Sequence, residues 1–263
     1  MAPARSPEAS RLADPTAPAT PARAAPVVAW ALVFWGGVQL AARVFERNAM
    51  TASLVQAALA EWGAGRMGVA WSDPLSPPAS PASMGKRAAI GAGMGCAAAV
   101  VAIGAAAATG GAAFAPASPD AVAIVLGLVP AALAAVRDEL LLRGGVLRAT
   151  RGLLPAWACL AICGAAAAAA RFGVDGAFSM AVLGDGLRAV ALAALWVHDR
   201  GAWMAWGANT AWAWTFGGLA HGAADVRFAF EPQALGAVLA VLGAAAAAGV
   251  ASIGRRSSAA GLR

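Results

Sequence analysis

The chain has 263 residues, 60% hydrophobic and only 12% charged, with a formal net charge of +6 and a mean hydropathy of +0.69. A soluble domain carries roughly 25% charged residues, so the composition excludes an ordinary soluble fold and predicts an all-α, polytopic transmembrane helical bundle. The positive charge falls largely in turns and tails, where it favours anionic lipid headgroups over nucleic acid; no ordered basic and aromatic surface for nucleic acid is legible.

Residues 1–24 are rich in Pro, Ala and Ser and cannot bury a core, which predicts a disordered tail. The tail does not read as a signal peptide, because the first apolar stretch comes late and is long. A membrane domain is expected over 25–254, followed by a basic tail over 255–263. A span needs about 20 apolar residues. About seven spans are expected, at 25–42, 88–109, 121–136, 154–170, 177–197, 202–219 and 234–253. The segment 52–71 differs. Leu54, Val55, Ala58, Leu59 and Trp62 recur at helical spacing, with Gln56, Glu61 and Arg66 between them, which predicts an interfacial helix. The Pro- and Ser-rich stretch 72–81 predicts a loop. Pro130 is expected to kink the third span. Cys96, Cys159 and Cys163 lie in apolar stretches and read as small hydrophobes, not as a metal motif or a disulfide framework.

Further along, Asp185 and Arg188 stand three residues apart in the fifth span, a spacing for mutual neutralisation. Asp199-Arg200-Gly201 is short enough to force a tight helical hairpin. Trp157, Trp196 and Trp203 would then fall on one side as an aromatic belt. Arg43, Arg47, Arg66, Lys86, Arg87, Arg148, Arg151, Arg200, Arg255, Arg256 and Arg263 would share that side, which marks it as cytoplasmic and puts the C-terminus inside and the N-terminal tail outside.

The most informative segment is Arg137-Asp138-Glu139-Leu140-Leu141-Leu142-Arg143-Gly144. It sets two carboxylates into a stretch that is apolar for a long way upstream. Ionisable groups there are costly and by default mark function. Glu139 and Arg143 stand four apart on one helical face and can form an ion pair. The same pattern also fits a purely structural pair near a helix end.

The segment Asp138 to Gly144 resembles the Glu-Glu-x-x-x-Arg motif of the CAAX-protease and bacteriocin-processing family of intramembrane endopeptidases. Phe172 to Gly176 falls where that family has Phe-x-x-x-His, and Gly207 to Trp214 where it has a Gly-x-His-x-x-Trp-Asn pattern. The resemblance covers about residues 117–220, as a CAAX-protease-like core. It implies a helical membrane fold that hydrolyses peptide bonds in membrane-borne or lipidated substrates through a glutamate-activated water, with or without zinc. The site residues it implies are Asp138, Glu139, Arg143 and Asn209. Asn209 replaces one family histidine, Gly176 replaces the other, and Ala213 replaces the asparagine. Glycine and alanine side chains can neither accept a proton nor bind metal, so the resemblance implies impaired hydrolysis and no zinc site. Asn209 keeps at most an oxyanion-donor role. The alternative is a non-catalytic scaffold that binds a membrane partner or peptide. Either way the expected location is integral to a membrane, the bacterial inner membrane, with the lipid bilayer as partner.

Overall fold

The computed structural model describes residues 21–72, 79–115, 120–219 and 226–228. Most of the expected tail, the seventh span at 234–253 and the basic tail lie outside the described residues, as does His221, one of the two histidines of the chain. Helix α1 (Pro21–Val44) begins within the segment expected to be tail. It is followed by α2 (Ala49–Met67), α3 (Pro81–Ala108) and a short strand β1 (Ala112–Phe114). Next comes α4 (Ala121–Arg137), which runs directly into a π-helical segment (Asp138–Gly144) and then α5 (Gly145–Thr150). Helices α6 (Ala156–Asp175), α7 (Met180–Asp199) and α8 (Trp203–Trp214) complete the bundle, with a second π-helical stretch over Thr215–Leu219. Strand β2 (Val226–Phe228) pairs antiparallel with β1, a small ribbon that the all-α expectation did not contain.

The sequence punctuates these helices locally. Asn48, Ser80 and Ser179 each accept a hydrogen bond from a backbone N–H three residues on, at 3.0, 3.2 and 3.3 Å, the N-cap bond that satisfies an otherwise orphaned donor. Gly68 closes α2 and Gly176 closes α6 in the left-handed conformation, at φ 68° and 70°, where glycine costs least. Helix α4 continues through Pro130.

Among the described residues, four helical stretches are long and apolar enough to cross a membrane: Ala24–Val44, Pro81–Ala108, Ala156–Asp175 and Ala181–Asp199. The third and sixth expected spans are shorter as α-helices, 17 and 12 residues, because each passes into a π-helical stretch.

Helix α2 differs from the expectation of a separate interfacial helix. It packs antiparallel along α1, with Phe34 edge-on to Trp62 at 5.2 Å and the Arg66 guanidinium 5.9 Å from the Trp30 ring centre. This pairing carries Arg43 and Arg47 to one end of the bundle and Arg66 to the other, so these arginines do not share one side. The buried face of α2 is also not its large apolar stripe. Ala52, Gln56, Ala60, Gly63, Ala64 and Met67 are buried, while Leu54 and Trp62 are exposed. A buried face made mostly of alanine and glycine, with leucine and tryptophan outward, is the pattern of helices packed in lipid, where tails offer leucine as good an environment as the interior does.

The same rule builds the tightest contact, α3 against α8. A Cβ on Gly91 would strike the Met204 carbonyl oxygen, one on Gly95 the Ala208 carbonyl, and one on Gly207 the Ala88 carbonyl. Gly91 and Gly95 form a Gly-x-x-x-Gly face that lets the two backbones touch. Gly164 and Gly186 do the same between α6 and α7. Helix α4 packs on both α2 and α8. The Trp206 and Trp214 indoles of α8 donate to the carbonyls of Ala132 and Ile124, at 3.0 and 2.7 Å.

Candidate functional site

The π-helical segment is the polar centre of the bundle. A π turn departs from the regular α ladder and is frequent at functional sites. Here it holds Glu139, Leu140, Leu141, Arg143 and Gly144, all buried. Glu139 has no exposed surface and Arg143 only 3%. The guanidinium grips the carboxylate with two donors, Nε to Oε2 at 2.7 Å and the second to Oε1. This is the bidentate arrangement that makes an arginine–carboxylate pair strong and directional.

The third group is one that sequence spacing could not supply. Trp196, near the end of α7, donates its indole N–H to Glu139 Oε2 at 2.8 Å. Trp157, Trp196 and Trp203 do lie at one end of the bundle, as the hairpin predicts, yet Trp196 turns its polar edge inward. Gly144 makes room for it. A Cβ there would lie 3.2 Å from the Trp196 ring and 2.6 Å from a Val69 methyl. Replacing Trp196 by phenylalanine removes the hydrogen bond and keeps most of the packing. A bond to a charged group contributes roughly 1.5–3 kcal/mol, so W196F should lose about that much stability in detergent unfolding monitored by circular dichroism; an unchanged midpoint would contradict the bond.

Asp138 faces a separate network. It pairs with its neighbour Arg137 at 2.7 Å, and Arg137 also donates to Gln56 of α2 at 2.9 Å. Each carboxylate of the motif therefore has its own arginine, and the two networks bind α4 to α2 on one side and to α7 on the other. The sequence does not reveal the pairing of Arg137 with Gln56, because the two are 81 residues apart. Further out, Arg188 and Asp185 pair at 3.0 Å within α7, as their spacing predicts.

The remaining expected positions do not converge on Glu139. Asn209 is buried on α8, but among the described residues no hydrogen bond joins it to Glu139 or Arg143. Gly176 caps the end of α6 opposite to the end that packs beside Trp196. A 20-residue helix is about 30 Å long, so a side chain at position 176 would be remote from the carboxylate. His198 is exposed on the last turn of α7. Among the described residues no three His, Cys, Asp or Glu side chains converge to hold a metal. The partners of Glu139, a guanidinium and an indole, are donors only and cannot bind zinc. The residues present thus do not fit a zinc centre. The cysteines are free, with Cys159 and Cys163 buried in α6.

An open pocket of about 430 Å³ adjoins this centre. Trp196 and Gly144 form part of its wall, while Glu139 does not reach it. Trp196 is therefore the partition between the pocket and the carboxylate. No protein-family model, curated protein or solved structure matches the chain.

Proposed function

We propose that this chain is an integral membrane protein built on the scaffold of the CAAX-type intramembrane endopeptidases, with Glu139 as its reactive centre and with hydrolysis impaired. The observation that carries this reading is a glutamate with no exposed surface, set in a π-helical turn of a membrane-type bundle and oriented by Arg143 and Trp196. Buried ionisable groups in such a bundle mark function by default. In this reading the substrate is a membrane-borne or lipidated peptide, and the protein has no nucleic-acid partner. Glu139 polarises a water against the scissile carbonyl, Arg143 orients the carboxylate and Asp138 keeps the neighbouring motif position. Asn209 serves as oxyanion donor only if substrate binding brings the carbonyl to α8. Water reaches Glu139 when Trp196 swings from its place in the pocket wall. The continuous helical run from Ala121 to Thr150 and the segments 202–219 and 234–253 complete about seven spans, in a bacterial inner membrane.

A second reading is favoured by one specific feature. Both Glu139 oxygens are already occupied by donors and, among the described residues, no imidazole stands beside them, which suits a non-catalytic scaffold that binds a membrane partner or peptide. Cleavage of a lipidated peptide by the full chain in proteoliposomes separates the two. Endopeptidase chemistry at Glu139 predicts cleavage that falls by at least about 100-fold in E139Q, the scale of a general acid–base contribution. Cleavage that persists in E139Q rules out this mechanism, and no cleavage by the wild-type protein leaves the scaffold reading.

A further inference from the structure

The pocket beside Trp196 has a chemistry of its own that neither reading of Glu139 uses. It lies where the C-terminal turns of α2 and α7, the chain after the π segment and the first turn of α6 meet. Arg148, Arg151 and Arg200 all line it, and among the described residues no carboxylate does. An arginine has five N–H donors in a planar fork suited to phosphate, so one that serves a neighbour keeps donors for a ligand. The rest of the lining is largely apolar, including Val69, Leu147 and Leu154. Two of its apolar lining residues are exposed, Leu154 41% and Val197 51%, and Trp157, next in sequence to the lining Ala156, is 73% exposed. Cations over an apolar floor that opens onto lipid-facing side chains fit an amphiphile with an anionic head. A free anion would need no such apolar side chains.

Among the described residues the cations at this end, Arg66, Lys86, Arg87, Arg148, Arg151 and Arg200, also outnumber those at the other end, Arg43, Arg47, Arg171 and Arg227. Excess positive charge marks the cytoplasmic side, where the leaflet is rich in anionic lipid.

We infer that this pocket binds the phosphate headgroup of an anionic phospholipid, with Arg148, Arg151 and Arg200 around the phosphate and the acyl chains running out over Leu154, Val197 and Trp157. The site does not require Glu139 to be reactive. Because Trp196 lies between the two, an occupied pocket holds the indole against Glu139, and lipid composition becomes a way to set the state of the buried centre.

The test is native mass spectrometry of the full chain in neutral detergent, titrated with phosphatidylglycerol, with phosphatidylcholine, and with inorganic phosphate as competitor. Phosphatidylglycerol should bind more tightly than phosphatidylcholine, and inorganic phosphate should not displace it. Each arginine near a charged lipid surface is worth about fivefold in affinity, so R151Q/R200Q should weaken phosphatidylglycerol by about 25-fold. Both side chains are exposed, and circular dichroism checks that the variant keeps its helices. R43Q/R47Q, which removes the same charge from the opposite end, should bind as the wild type does. Equal binding of the two lipids by the wild-type protein overturns the inference, and this comparison needs no variant. An equal loss in R43Q/R47Q also overturns it, by reducing the effect to net charge. Displacement by inorganic phosphate at matching concentration overturns the lipid assignment and makes the ligand a free phosphate.

Discussion

Replacing Arg143 by methionine should destabilise the protein by about 3–5 kcal/mol, the loss expected when one partner of a buried pair is removed and the other is left as an uncompensated charge. Glu139 has no exposed surface, so water cannot take over from the guanidinium. The Trp196 indole supplies only one donor. The converse double change is the informative one. In E139Q/R143M no charge remains, and the glutamine carbonyl still accepts from Trp196. That variant should lie within about 2 kcal/mol of wild type, because a buried ion pair is often no better than a neutral replacement of similar volume, while the buried glutamine NH2 is left without an acceptor. By the same rule E139Q alone leaves Arg143 buried without its carboxylate and should cost a similar amount, so the coupling between the two sites is at least about 3 kcal/mol, far above the few tenths expected of independent positions. Unfolding in mixed micelles, followed by circular dichroism, measures all three variants. A double variant whose loss equals the sum of the two single losses would show that the two residues act independently, which the bidentate geometry forbids. A double variant close to wild type in stability would mean that the pair is not needed to hold the fold.

Gly95→Val should cost about 3 kcal/mol, at the top of the usual range for overpacking, while Gly93→Ala on the same helix should be neutral or stabilise by up to about 1 kcal/mol. The difference is positional. A Cβ at Gly95 meets the carbonyl and Cα of Ala208, whereas one at Gly93 meets nothing within 4 Å. The obstacle at Gly95 is backbone, which cannot rotate away as a side chain could, so α3 and α8 must separate and lose the closest packing in the bundle. The effect should reach α4 as well, because Trp206 and Trp214 anchor α8 to its carbonyls. Unfolding midpoints in mixed micelles give both values. Equal effects at positions 93 and 95 would mean that α3 presents a different face to α8.

What could be read directly from the sequence is what depends on composition or on a few consecutive residues. A low charged fraction and long apolar runs identify the membrane-type bundle. The four-residue step from Glu139 to Arg143 and the three-residue step from Asp185 to Arg188 each place two side chains on one helical face, and both pairs form. Asp199-Arg200-Gly201 leaves too little chain for anything but a hairpin, and α7 and α8 are neighbours. What the tertiary structure alone decided is which faces meet. In water a helix buries its large apolar stripe; in lipid both faces can be apolar, so periodicity does not say which one is inside. Helix α2 shows the consequence, since its Leu54 and Trp62 face out while Ala52, Ala57, Ala60, Gly63 and Ala64 face in. Partners drawn from distant positions were equally hidden: Trp196 on Glu139 across 57 residues, and Gln56 on Arg137 across 81. An indole at a helix end reads as an interfacial anchor until a neighbouring helix offers it a carboxylate. The positions of Gly176 and Asn209 relative to Glu139 follow from helix length and direction, which sequence order leaves open.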